Sequence, residues 1–254
     1  MGGTTRGEAE EAPGTGRVLG LDLARTLALA AMAAFHLGRD LEVLGLVPPG
    51  TTFGGLWDLS ARAIAGTFIF LAGVSLWLAH GRGVAWRGFA RRLGLLMLGA
   101  AAVSAATYLV APQAWVRFGI LHSIALSSVL ALPFLRLPWP ATALAAAGLL
   151  WLGPRLAHPA FDGPLWLWSG LGTAPPPMMD YEPMIPWLAP MLLGVACARA
   201  LGPPFWAAAR ARRRAGRAWA WAAWPGRHSL AVYLIHQPVL IALILACAWA
   251  LGYI

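Results

Sequence analysis

The sequence contains no lysine: all 19 of its basic residues are arginine, and charged side chains of every kind make up 11% of its 254 residues. The formal net charge of +9 would suit a nucleic-acid partner if the arginines shared one face. They fall instead between apolar runs, where a membrane-topology bias explains them and nucleic acid does not. The lack of lysine, beside abundant alanine, glycine and proline, is a compositional bias that carries no function. Only two cysteines occur, Cys197 and Cys247, each inside an apolar stretch. Without a CxxC or an adjacent Cys/His pair, they give no support to a disulfide scaffold or a zinc site. Metal-ligand spacings, a Walker loop, GxGxxG and GxSxG are all missing. Metalloenzymes, NTPases, dinucleotide enzymes and hydrolases built on those motifs drop out.

What the chain does have is hydrocarbon. Hydrophobic residues are 59% of the total, tryptophan occurs 14 times, and the mean hydropathy is +0.65. A soluble domain of this size could not hide so much apolar surface. Seven segments approach the roughly 20 residues a bilayer-crossing helix needs: 18–37, 59–79, 89–110, 116–132, 139–157, 184–200 and 229–251. The expected fold is therefore all-α, a polytopic helix bundle of about seven transmembrane helices. Residues 1–16 are polar, acidic and glycine-rich, and read as a disordered tail ahead of one membrane domain, 17–254.

Arginine placement sets the expected orientation. Arg6, Arg17, Arg82, Arg87, Arg91, Arg92, Arg136 and the cluster from Arg199 to Arg227 share the side of the N-terminus, which is then inside. Arg39, Arg62, Arg117 and Arg155 lie on the other side, with Asp40, Glu42, Asp58, Asp162, Asp180 and Glu182. The stretch 205–224 mixes arginine, tryptophan and alanine, and is expected to lie along the inner surface as an amphipathic helix.

Few ionisable groups fall inside the spans, where each is costly enough to call for a partner or a task. Arg25 and His36 lie eleven residues apart in the first span. Eleven helical residues turn through three turns plus ~20° and rise ~16 Å, so both side chains share one face. A ligand lying along that helix would meet a cation near one surface and an imidazole near the other. Asp22 could instead neutralise Arg25 at i, i+3, and His36 could merely cap the helix dipole. His122 lies in the fourth span, where bundle packing is as natural as catalysis. His236 lies near the middle of the seventh span, on a polar face with Ser229, Tyr233 and Gln237 that must look into the bundle. Asp180, just before the sixth span, is placed to cap a helix start. A histidine acting as general base or nucleophile beside an acyl acceptor is the simplest chemistry these groups allow. An arginine would hold the phosphate of a cytoplasmic acyl donor.

The ordered motifs resemble a family. LDLARTLALAAMAAFH is similar to the Arg-x10-His first span of integral-membrane acyltransferases. FIFLAGVSLWL resembles the second span of bacterial relatives of heparan-alpha-glucosaminide N-acetyltransferase. RFGILHSIALSSVL, DYEPMIPWLAPMLLG and GRHSLAVYLIHQPVL resemble that family's later segments, in order, so the likeness covers 17 to about 245. It implies transfer of an acetyl or other acyl group from cytoplasmic acyl-CoA (acetyl-CoA) to an acceptor across the membrane. His36 would be base or acyl carrier, with His122, Asp180 and His236 sharing the site. Arg25, Arg87, Arg91 and Arg92 would hold the donor. Expected partners are the lipid bilayer of a bacterial inner membrane, acyl-CoA and a sugar, glycolipid or cell-envelope acceptor; a homo-oligomer is compatible. The rival readings are a transporter or flippase with Arg25 and the histidines as a relay, and a structural subunit whose polar face joins helices.

Overall fold

The computed structural model describes residues 16–211 and 216–252; the expected tail lies, but for Gly16, outside them. The described chain is all-helical, and five of its helices are long and apolar enough to cross a membrane. These are α1 (Leu19–Val43), α2 (Gly55–His80), α3 (Trp86–Val110), α6 (Met184–Ala211) and α9 (Ser229–Ala250). The expected fourth and fifth spans form shorter helices, α4 (Ile120–Leu130) and α5 (Trp139–Leu152). Pro133 and Pro138 flank the turn between them; proline sits readily in a first helical turn but stops the helix preceding it. Two small helices, α7 (Arg217–Ala222) and α8 (Trp224–Arg227), lead into α9.

The centre is the α2–α6 pair. Ile69, Leu76, Met191, Leu192 and Val195 are at most 1% exposed between them and their neighbours. Two glycines set the crossing. A Cβ on Gly73 would stand 2.1 Å from the Met191 carbonyl oxygen, and one on Gly194 would stand 2.1 Å from that of Phe70. Small residues let membrane helices reach backbone contact, where dispersion replaces a hydrophobic effect that lipid does not supply. Around this pair, α5 packs on α6, and α4 bridges α2, α3 and α6. On the opposite flank α1 packs against α2, α8 and α9.

Two boundaries depart from expectation. α1 does not stop at Leu37 but runs to Val43, carrying Arg39, Asp40 and Glu42 as helix rather than loop. Glu42 anchors the following turn, accepting from the backbone N–H of Gly50 at 2.6 Å and of Thr52 at 2.7 Å. α6 breaks at Gly202, whose φ of 72° favours glycine. The helix beyond it tucks Trp206 against Val18, Val74 and Ala198, where the indole N–H donates to the Ala198 carbonyl at 2.7 Å. Of the segment expected as one amphipathic helix, 205–211 thus continues α6 and 217–222 forms α7, while 212–215 lies outside the described residues.

Candidate functional site

One stripe of α1 organises the site. Asp22, Arg25, Leu29, Met32, His36 and Asp40 follow at intervals of three or four, so they share a face, with Leu29 and Met32 buried at its middle. The polar groups gather at its two ends.

At the arginine-rich end, Arg25 donates to Asp22 Oδ1 at 3.0 Å and, through its other terminal nitrogen, to Ser75 Oγ on α2. Asp22 is shared, since Arg227 Nε approaches its second oxygen at 3.6 Å. The α8 backbone is pressed onto α1 at this point. The Gly226 N–H donates to Thr26 Oγ1 at 3.0 Å, and a Cβ on Gly226 would fall 1.8 Å from the Asp22 carbonyl oxygen. Arg92, half-buried on α3, lies near enough for its charge to repel that of Arg25. The Trp77 indole N–H is buried without a partner. Two guanidiniums this close make that end electropositive, which suits a phosphate. Arg87 and Arg91 are exposed on the same turn region of α3.

At the other end of the stripe the rings of His36 and His236 approach to 5.0 Å. His236 Nδ1 stands 2.5 Å from the Tyr233 carbonyl oxygen. A carbonyl only accepts, so Nδ1 carries the proton and Nε2 presents a lone pair. That Nε2 is buried and unpartnered. Gln237 donates from its amide nitrogen to Asp40 Oδ1 at 2.7 Å, leaving Asp40 Oδ2 and Gln237 Oε1 buried without partners. Phe35 packs edge-on to His36 and touches Trp57, whose ring lies across Gly38.

The remaining candidates lie apart from the histidine pair. His122 Nδ1 accepts from the Gly119 N–H at 3.3 Å, and Nε2 faces Ser104 Oγ at 3.5 Å, so both ring nitrogens are engaged around the start of α4. Asp180 precedes α6 in sequence, yet its carboxylate caps α4, accepting from the Ile120 N–H at 2.8 Å. Strand-like pairing of Phe118 with Tyr181 places it there. Burial pushes the Asp180 carboxyl up to about 6, against the Ile120 N–H that favours the anion. Glu182 is raised further, to about 9, by burial and then by the charge of Asp180, opposed by Arg62. Tyr233 feels the charge of both acids, and its ring lies 5.7 Å from His236, which links this acidic pair to the histidines.

The sequence reading did not include Asp40, Glu182 or Ser75 among the site residues. Asp40 carried a usable signal, four residues after His36 on the same face. Ser75 carried none, because its role comes from the α1–α2 contact.

A family model described as heparan-alpha-glucosaminide N-acetyltransferase, catalytic, matches residues 17–238. No curated protein and no solved structure matches the chain significantly. The matched residues take in the whole α1 stripe, the polar cluster around Arg25, the His36–His236 pair and the Asp180 segment. With its bundle of membrane-length helices, the chain belongs to the family of the heparan-alpha-glucosaminide N-acetyltransferase catalytic domain, and is a multi-pass membrane enzyme of the acyltransferase type.

Proposed function

We propose that the protein moves an acetyl or other acyl group from acyl-CoA to a hydroxyl or amine acceptor on the far side of a bacterial cytoplasmic membrane. The N-terminus and the arginine-rich end then face the cytoplasm. The donor's phosphates sit at Arg25 and Arg92, with Arg87 and Arg91 adding charge at the mouth. Its pantetheine arm runs outward along the α1 stripe, past Leu29 and Met32, and brings the thioester to His36 and His236. The ~16 Å between Arg25 and His36 along the helix suits that arm.

The observation that carries this reading is the lone pair of His236 Nε2, buried, unpartnered and beside His36. As general base it takes the proton from the acceptor's O–H or N–H. The acceptor atom attacks the thioester carbonyl carbon, the C–S bond breaks, and the thiolate leaves with the proton returned from His236 as CoA–SH. His36 lies against the reacting groups, while His122 and Asp180 hold the α4 start that backs the site. A sugar or envelope polymer provides such an acceptor.

Labelled acetyl-CoA and purified protein in lipid discs test it. His236→Ala and His36→Ala are each expected to lower transfer by ~10²–10⁴-fold, the usual worth of a positioned general base, with the melting temperature unchanged. Full activity in His236→Ala would remove that residue from the mechanism.

A further inference from the structure

An apolar cleft of about 620 Å³ opens between the C-terminal halves of α1 and α9. On the α9 side its lining continues the histidine stripe. On α9, Leu240, Leu243 and Cys247 follow His236 at four, seven and eleven residues, and Ile244 follows Gln237 at seven, so they extend the same stripes. On α1, Leu37 and Leu41 are the immediate neighbours of His36 and Asp40. Clefts of ~300–1,000 Å³ take drug-sized ligands, far more than the methyl of an acetyl group. The α9 lining begins just past the family match, which ends at residue 238.

The Asp40–Gln237 bond, one helical turn before Leu240 on α9 and just outside the cleft's own lining, marks the polar groups that the head of a ligand in the cleft would meet. Asp40 Oδ2, Gln237 Oε1 and His236 Nε2 are buried without partners, and His236 lies within reach of the Asp40 charge. The carboxylate and amide oxygens only accept, and Nε2 accepts because Nδ1 bears the proton. Three unmet acceptors call for a ligand that donates hydrogen bonds. A phosphate or thioester cannot, whereas a hydroxyl or amine can.

We propose that the acceptor substrate is a lipid: a hydrocarbon chain lies in the α1–α9 cleft, and its hydroxyl- or amine-bearing head docks on Asp40, Gln237 and His236. The inference rests on the transferase reading for the fate of the head group, but the binding site stands on the cleft and the unmet acceptors. The lining is wholly apolar, so such a substrate enters from the bilayer, apart from the donor's phosphates at Arg25.

The test uses the full chain in phosphatidylcholine discs with a dodecyl glucoside carrying a photoreactive diazirine at its chain end. Labelling is expected on the α9 peptide from Leu240 to Leu251, displaced by dodecyl glucoside and not by methyl glucoside. Asp40→Ala, which leaves the cleft lining intact, should weaken labelling ~10-fold, the scale of one lost hydrogen bond to a charged group. Leu240→Trp with Ile244→Trp should abolish it by filling the cleft; if that variant does not fold, competition and Asp40→Ala still decide. Displacement by phosphatidylcholine alone, or labelling indifferent to Asp40, means bulk lipid only and overturns the proposal. So does a disulfide between Cys247 residues of two copies that closes the cleft to the probe. Head-dependent labelling with no acetyl transfer to any acceptor would instead sink the transferase reading and leave the lipid site standing.

Discussion

The two ends of the α1 stripe carry similar numbers of polar groups and differ in their charge pairing. At the arginine-rich end, Arg25 is bonded on both sides, Asp22 serves two arginines, and Thr26 joins α1 to the α8 backbone. Of the three buried atoms without a hydrogen bond there, Asp22 Oδ2 and Arg227 Nε face each other as an ion pair, and the third is the Trp77 indole N–H. At the histidine end no ion pair forms among the described residues, and three buried acceptors have no partner. An ion-paired cluster holds helices together, whereas buried acceptors with no counter-charge are a cost to the fold that a ligand relieves. Removing parts from each end should therefore give opposite signatures.

The largest contrast lies between His236→Ala, with its loss of transfer and unchanged melting, and Asp22→Ala. The latter strips the counter-charge from Arg25 and Arg227 and should destabilise the bundle by about 3 kcal/mol, as breaking a buried pair does. Thermal unfolding in lipid discs measures it; a melting temperature equal to wild type would mean that Asp22 is no tie between α1 and α8. Arg92→Ala sharpens the picture within one end. Among the described residues Arg92 makes no hydrogen bond, so its loss should leave stability intact and raise the KM for acyl-CoA ~10-fold, the scale of one charge-assisted contact. An unchanged KM would move the donor's phosphates elsewhere. Asp40→Leu combined with Gln237→Leu should leave the melting temperature unchanged or raise it, because it removes the bonded pair together with two buried oxygens that nothing satisfies. A clear fall would show that the histidine end braces the fold as the arginine end does.

The last comparison concerns pH. Glu182 keeps its proton up to about 9 in the folded chain, far above the ordinary value of 4.5. The folded state thus binds more proton than the unfolded one between those values, and its contribution to stability is complete below about 4.5 and lost as pH rises through about 9. Asp180 acts in the same sense up to about 6. Melting temperatures should decline from acid to alkaline pH across that window, and Glu182→Gln should flatten the decline. A slope unaltered by that substitution would assign the dependence to other groups.

Much of this was legible in the chain. The Arg25–His36 spacing, the polar face of α9 and the apolar runs of α1, α2, α3, α6 and α9 are local patterns, and local patterns survive folding. Asp40 was hidden because hydropathy ends a span at its first charges, while the helix itself continues through Arg39, Asp40 and Glu42. Asp180 pointed to the wrong helix for a different reason. Adjacency in sequence suggested α6, but pairing of 179–182 with 114–118 carries its carboxylate to α4. The meeting of His36 with His236 spans 200 residues, and no spacing rule encodes such a contact.

The Gly73–Gly194 crossing has a mechanical corollary. With each glycine's backbone seated against the other helix's carbonyl, sliding α2 along α6 by one residue would drive a side chain into a peptide oxygen. That junction is a rigid axle. Any breathing that admits one reactant from the aqueous side and another from the lipid side falls to the seam where α1 meets α9, the same seam that holds the two imidazoles.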